Sequence, residues 1–300
     1  MFGVTLFGAY SSHINVPVSQ VFRLPKELTP EAAAGFPCAA MTAYYALDRL
    51  AASKEGDTVL VHSAAGGVGT MLCQLAKARG CRVVGVVGRR DKVAVALRAG
   101  CAAVVEKESG GIAQAHTSDP DAVEWVPSRP SAALAGRALH EALDRAGRLV
   151  GGRPPSDTPA GGPFHAAFDA NGVSTLRISY DLLAPTGKLV VYGFHSMLPR
   201  KGGKLGVFSW LKLAWDYVRT PRFNPMSLTS ENRSVMGFNL SYLFDEQAEL
   251  QRAMSDLLGY VSRGELRVAS VRTFPLTDVA SAHACLESGA TTGKLVLLCS

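Results

Sequence analysis

Residues 57–92, DTVLVHSAAGGVGTMLCQLAKARGCRVVGVVGRRDK, constrain the chain more than any other stretch. They read as a strand, a glycine turn, a helix and a second strand. Thr58 to His62 is a β-branched and aliphatic run suited to a strand buried on both faces of a parallel sheet. Ala65, Gly66, Gly67, Val68 and Gly69 follow at once. Their glycines let the backbone turn sharply and let a pyrophosphate approach the first helical N–H groups, which carry a partial positive charge. Met71, Leu72, Leu75 and Ala76 recur at helical spacing, Gly80 stops the helix, and Arg82 to Val87 forms the second strand. This order of elements separates a dinucleotide fingerprint from a chance glycine run. The competing reading is a turn that only packs helix on strand.

The residues after the second strand bear on the choice of nicotinamide cofactor. A site for NAD usually places an acid there for the ribose 2′-hydroxyl, whereas a 2′-phosphate calls for cations. Here the strand runs into Gly88, Arg89, Arg90, Asp91 and Lys92. Three cations around one small acid favour the phosphate, with Asp91 expected to cap the next helix. A solvated charge cluster is the plainer alternative.

The turn reads AAGGVG, with Ala64 where the commonest fingerprint has its first glycine. Together with the preceding EGDTVLVHS and the following QLAKARG, it resembles the zinc-independent quinone oxidoreductases of the medium-chain dehydrogenase/reductase superfamily. The resemblance implies NADPH as cofactor and hydride transfer to a quinone or an activated alkene or carbonyl. It supports Lys92 as a phosphate ligand. Gly88, however, stands where relatives often carry a phosphate-binding serine, a contact that Arg89 could replace.

At 300 residues and 47% hydrophobic content, the chain can bury a sizeable core and suits two domains. Its 31 basic and 25 acidic residues leave a net charge of +6, too diffuse to argue for nucleic acid. Six cysteines, with no C-x-x-C pair, read as core residues in a reducing, cytoplasmic compartment. No apolar run is long enough to span a bilayer, and no signal peptide is evident.

Residues 1–30 look like two or three short strands with turns, too few to bury a core alone. Residues 31–52 form an Ala-rich helical stretch broken near Pro37. At the other end VRTFPL, TDVASAHACLESG and KLVLLCS read as strand, helix and strand, with Thr277 or Asp278 as the cap. The expected fold is therefore α/β: a Rossmann doubly wound parallel sheet in residues 31–264, plus a β-rich domain built from residues 1–30 and 265–300. By resemblance that second domain is GroES-like. Relatives carry further residues before the matched segment, so the domain is expected to be an incomplete remnant.

The stretch 107–163 is rich in Ala, Gly, Pro and Ser and reads as a surface insertion holding one helix, Ser131 to Val150. Its apolar face would be Leu134, Ala138, Leu139, Ala142 and Leu149. Trp125 is expected to pack onto the domain rather than bind a ligand. After the insertion, FHAAFDANG reads as a strand and turn, ISYDLLAP as a helix and GKLVVYGFHS as a strand and loop. Ligands lie beyond the carboxyl ends of parallel strands, which directs Asn171, Tyr192, Gly193 and Phe194 to the cofactor. Asn171 reads equally as a turn residue tolerating left-handed geometry.

No ligand set for a metal is evident, and the seven histidines are scattered. His195, after the VYGF loop, is the one that could line a substrate pocket. Hydride transfer needs proximity, orientation and a dry pocket, with water able to supply the proton, so no catalytic acid or base is expected. Resemblance places Met41 and Thr42 beside the nicotinamide. It also matches NRSVMGFNLSYLFDE to the vesicle amine transport protein branch, which implies that Phe238, Asn239 and Leu240 lie near the nicotinamide and Lys294 near the cofactor's far side. Residues 199–225 mix aromatic, aliphatic and basic side chains. They read as a lid or dimer helix, in keeping with an expected homodimer, or as a peripheral contact with an anionic membrane. The competing function is a cofactor-binding, membrane-associated scaffold with little turnover.

Overall fold

The computed structural model describes residues 2–3, 8–115, 123–126, 135–151, 161–194, 207–243 and 245–299. Strands β1 (Phe2–Gly3) and β2 (Val21–Phe22) form an antiparallel pair. Helix α1 (Pro30–Gly35) begins at a proline and is capped by Thr29, whose Oγ1 accepts from the Ala32 amide at 3.2 Å. Pro37 restarts the chain as α2 (Pro37–Tyr44), which loosens into a π turn at Tyr45–Leu50. The helical stretch thus breaks where its proline removes a backbone donor.

The fingerprint then unfolds as read. Strand β3 (Thr58–Val61) is wholly buried, α3 (Gly67–Ala78) follows the glycine turn, and β4 (Arg82–Val87) returns parallel to β3. Gly80 ends α3 at φ +76°, where a glycine costs nothing. Next come α4 (Val93–Arg98), β5 (Ala103–Glu106), β6 (Ile112–Ala115), β7 (Val123–Val126), α5 (Ala135–Leu149) and β8 (Phe164–Asp169). They are followed by α6 (Leu176–Asp181), β9 (Leu183–Val191), α7 (Val207–Arg219), α8 (Pro225–Glu231), β10 (Ser234–Gly237) and α9 (Gln247–Ser262). The last three elements are β11 (Val271–Pro275), α10 (Val279–Glu287) and β12 (Lys294–Leu298).

Six of these strands run parallel in the order β5-β4-β3-β8-β9-β10. That is the doubly wound order, reversing between β3 and β8. The hairpin β6–β7 extends the sheet antiparallel beyond β5.

The stretch 107–163 is therefore more than a surface insertion. A parallel step from β5 to β8 needs a crossover, and α5 supplies it. It buries Leu139, Ala142, Leu143 and Ala146, an i, i+3, i+4, i+7 stripe, against Leu60, Val84 and Val105. Leu149, expected on that face, is exposed, and Leu134 lies outside the described residues. Among the described residues of this stretch, the β6–β7 hairpin is what is additional to the doubly wound frame.

The expected helix ISYDLLAP also ends early, at Asp181, and its last residues enter β9. Pro185 cannot donate to a ladder and Thr186 adopts φ +67°, so the register with β8 shifts between Phe164 and Ala166. At the chain ends, β11 and β12 pair in parallel with each other. The C-terminal segment meets the N-terminal one through side chains: Tyr10 Oη lies 3.2 Å from Nε2 of His283 on α10, and Sγ of Cys299, just after β12, donates to the Ser11 carbonyl at 3.4 Å. Asp278 occupies the N-cap position of α10 without a capping bond.

One buried polar network spans the reversal of strand order. His62, Asp169 and Ser179 have no exposed surface. The Ser179 hydroxyl donates to Asp169 Oδ2 at 3.2 Å and, its proton so used, accepts from His62 Nε2 at 2.8 Å. Asp169 Oδ1 also accepts the amides of Asn171 at 2.7 Å and Gly172 at 3.3 Å. His62 Nδ1 has no partner. Protonating it would bury an unpaired N–H, and desolvation holds the His62 pKa below its ordinary value despite the nearby Asp169 carboxylate.

Because the folded pKa lies below the unfolded one, the unfolded chain binds the extra proton. Stability is then full above pH ~6.5 and falls as pH drops toward the depressed value, at up to about 1.4 kcal/mol per pH unit. Urea unfolding between pH 7.5 and 5.5 should show this slope, and His62→Gln, which keeps a donor to Ser179, should flatten it. Parallel pH profiles for the two proteins would contradict the assignment.

Candidate functional site

The glycine turn sits at the carboxyl end of β3, beside the reversal of strand order. Ser63 takes φ +52° and starts it, a left-handed position the sequence does not advertise. Gly66 caps α3 in an extended conformation. A Cβ on Gly69 would fall 2.2 Å from the Ser63 carbonyl oxygen, so helix and turn close only over a glycine. Ala64 replaces the first glycine of the common pattern because β4 gives way. A Cβ on Gly85 would lie 2.8 Å from the Ala64 methyl and 2.6 Å from Cys101 Sγ. Ala65 is buried and Val68 packs against the core.

The loop before β12 lies directly over this turn. Gly293 pairs with Gly66 in a parallel bridge, and its φ of +70° and crowding against Ser270 require a glycine. Lys294 then runs across Gly35 and Gly67. A Cβ on Gly67 would meet Lys294 Cδ at 2.7 Å and Nζ at 3.3 Å. The ammonium has no acidic partner among the described residues and lies against the positive end of α3. A cation held at the positive end of a helix makes a local field that suits an anion.

At the end of β4 the cations are not equivalent. Asp91 does not cap the next helix. Instead Arg89 Nε and Nη2 each donate to an Asp91 carboxylate oxygen at 3.0 Å, while Lys92 stands at the N-cap position of α4 without a capping bond. A bidentate pair is the stronger use of a carboxylate beside a guanidinium. Lys92 Nζ donates to the carbonyls of Gly289 at 2.6 Å and Thr291 at 3.0 Å, which ties down the loop that carries Gly293 and Lys294. Burial lowers the Lys92 pKa, with Asp91 opposing. Arg90 lies over the Trp125 ring. Around Gly88 there is open space, with nothing within 4 Å of a built Cβ.

Across the reversal, Ser63 Oγ donates to Asn171 Oδ1 at 2.9 Å. The left-handed residue of that turn is Gly172, at φ +95°, rather than Asn171. Tyr192 and Gly193 are half-buried and Phe194 exposed at the end of β9. Desolvation, with Asp169 and Cys73 nearby, raises the Tyr192 pKa, so its phenol stays protonated. Phe238 lies 5.0 Å from the Tyr45 ring and 6.4 Å from the Tyr192 ring, a three-ring wall. Tyr45, in the π turn after α2, carries no motif that marks it in the sequence.

Other expected pocket residues turn inward. Met41 and Leu240 belong to the core, and the Thr42 hydroxyl donates to the Cys38 carbonyl within α2 at 2.7 Å. Exposed Asn239 accepts the Ser241 amide at 3.0 Å. His195 lies outside the described residues. Helix α7 turns Leu211, Trp215 and Val218 outward rather than onto the described chain. Among the described residues no three His, Cys, Asp or Glu side chains gather as a metal site.

Comparison with known proteins agrees with this geometry. A family model described as zinc-binding dehydrogenase matches residues 145–297. The "Probable quinone oxidoreductase" of Schizosaccharomyces pombe is 28% identical over 304 residues, covering 99% of this chain and 71% of that protein. The synaptic vesicle membrane protein VAT-1 homolog of Rattus norvegicus is 27% identical over 97% of this chain and 61% of its own length. The Escherichia coli quinone oxidoreductase, solved in complex with NADPH, superimposes with a TM-score of 0.68 at 27% identity, over 98% of this chain and 73% of that one. The chain belongs to the zinc-binding dehydrogenase family, within its quinone oxidoreductase-like medium-chain group.

Proposed function

We propose that this chain is an NADPH-dependent oxidoreductase that passes a hydride to a quinone or to an activated alkene or carbonyl, without zinc. The observation that carries this reading is the Lys294 ammonium laid over Gly67 at the positive end of α3. That arrangement fits a pyrophosphate, and nothing else in the described chain balances it. The names of the relatives and the NADPH bound to the Escherichia coli enzyme support the same conclusion. The described residues offer no ligand set for zinc.

Bound NADPH would supply the hydride. Ala65 to Gly69 and Lys294 would hold its pyrophosphate, and the basic residues after β4 its 2′-phosphate. Asn171, oriented by Ser63 and by the Asp169 bonds to its own loop, would meet the ribose and nicotinamide end. Tyr45, Tyr192 and Phe238 would give a flat acceptor an apolar wall and keep water from the reacting atoms. The reduced acceptor would take its proton from solvent. A homodimer, and the membrane contact through residues 199–225, rest on the outward apolar face of α7.

Three measurements test this. Titration with NADPH, followed by its oxidation with quinones and enones, should show binding and turnover. Binding without turnover would leave a cofactor-binding scaffold, and no binding would remove both readings. Lys294→Ala should weaken NADPH and NADH alike, by roughly 10- to 100-fold, as expected for a charge-assisted bond to phosphate. Gly88→Ser, entering open space, should strengthen NADPH by about 2- to 10-fold and leave NADH unchanged, as one added hydrogen bond would.

A further inference from the structure

Building on the NADPH reading, the geometry points to Trp125, on the β6–β7 hairpin, as the positioning residue that makes Arg90 the receptor for the 2′-phosphate. Three cations follow β4, and among the described residues two of them donate hydrogen bonds to protein acceptors while Arg90 donates none. Asp91 takes two Arg89 N–H groups. The Gly289 and Thr291 carbonyls take the Lys92 ammonium. Arg90 is exposed and has no carboxylate partner among the described residues; its guanidinium lies over the face of Trp125, the central carbon 4.5 Å from the ring centroid. That contact uses the π face of the guanidinium and leaves its N–H edge free, the edge that grips a phosphate bidentately.

The ring is itself fixed. Trp125 pairs with Ala113 across the hairpin, and its ring lies against Gly111, where a Cβ would meet Cζ2 at 2.3 Å. Ala113 in turn pairs with Val104 of β5. The hairpin is the one part of the sheet that the doubly wound frame does not require, and it carries this ring to the end of β4. The wall of the adenosine end is thus built from a segment that carries none of the fingerprint.

The test compares affinities for NADPH and NADH, because a general structural role would change both. Trp125→Leu should weaken NADPH about two- to fivefold, the worth of an accessible cation–π contact, with NADH unchanged. Trp125→Tyr should keep the wild-type ratio. Gly111→Ala, whose methyl displaces the ring without removing it, should reproduce the Leu effect, and it stands in if Trp125→Leu does not fold. In an Arg90→Ala background, Trp125→Leu should cost nothing further. Equal losses for the two cofactors, or additive losses with Arg90→Ala, would overturn the assignment while leaving NADPH binding intact. A wild-type chain that binds no NADPH would overturn the cofactor reading itself.

Discussion

The close contact between Gly69 and the Ser63 carbonyl sets the rest of the molecule. Helix α3 can start where it does only because the chain turns left-handed at Ser63 and carries no side chain at Gly69. That places the helix N-terminus at the carboxyl end of β3, next to the gap where the strand order reverses. From there α3 lies on the sheet and buries Met71, Leu72, Cys73, Leu75 and Ala76. A fully buried leucine such as Leu72 is worth about 1.5–3 kcal/mol, so a shift of the turn would forfeit core packing as well as the anion site. Fold and site therefore share one constraint.

The second constraint is polar. The Asp169 carboxylate accepts two amides of the turn after β8, while Ser179 and His62 bridge back from it to the end of β3. A buried carboxylate is costly unless its lone pairs are filled, and here three donors fill them. The network holds the two loops at a fixed separation, with Ser63 and Asn171 joined across the opening. A preformed gap of that kind spares a ligand the cost of ordering both loops.

Much of this was legible in the sequence, for a physical reason. Glycines at close-approach positions and continuous apolar runs are local signals, so the turn, β3, α3 and β4 were readable from residues 57–92. Long-range partners were not. Nothing near Asp91 tells whether it caps a helix or pairs with Arg89, and nothing near Lys92 reveals carbonyls about two hundred positions away at Gly289 and Thr291. The α5 face was read in part, since Leu139 and Ala142 are buried as expected, but Ala and Gly throughout the helix blur its stripe, and Leu143 and Ala146 rather than Leu149 continue it. Met41 and Thr42, placed by resemblance, lie inside the helix pack. The ring that meets Phe238 is instead Tyr45, in the π turn after α2, which no sequence motif marks.

The same distinction explains why the hairpin matters. Framework strands are bound by topology, so their ends are where a shared cofactor is held, and their residues follow the fingerprint. An added hairpin answers to no such rule. β6 and β7 extend an edge that would otherwise stop at β5, and the added antiparallel pairing satisfies the open edge of a parallel strand. Their side chains then stand beside the first residues after β4, where a nucleotide's distinguishing group must lie. A segment that protects an edge can in this way adjust which cofactor the glycine turn receives, without changing the turn.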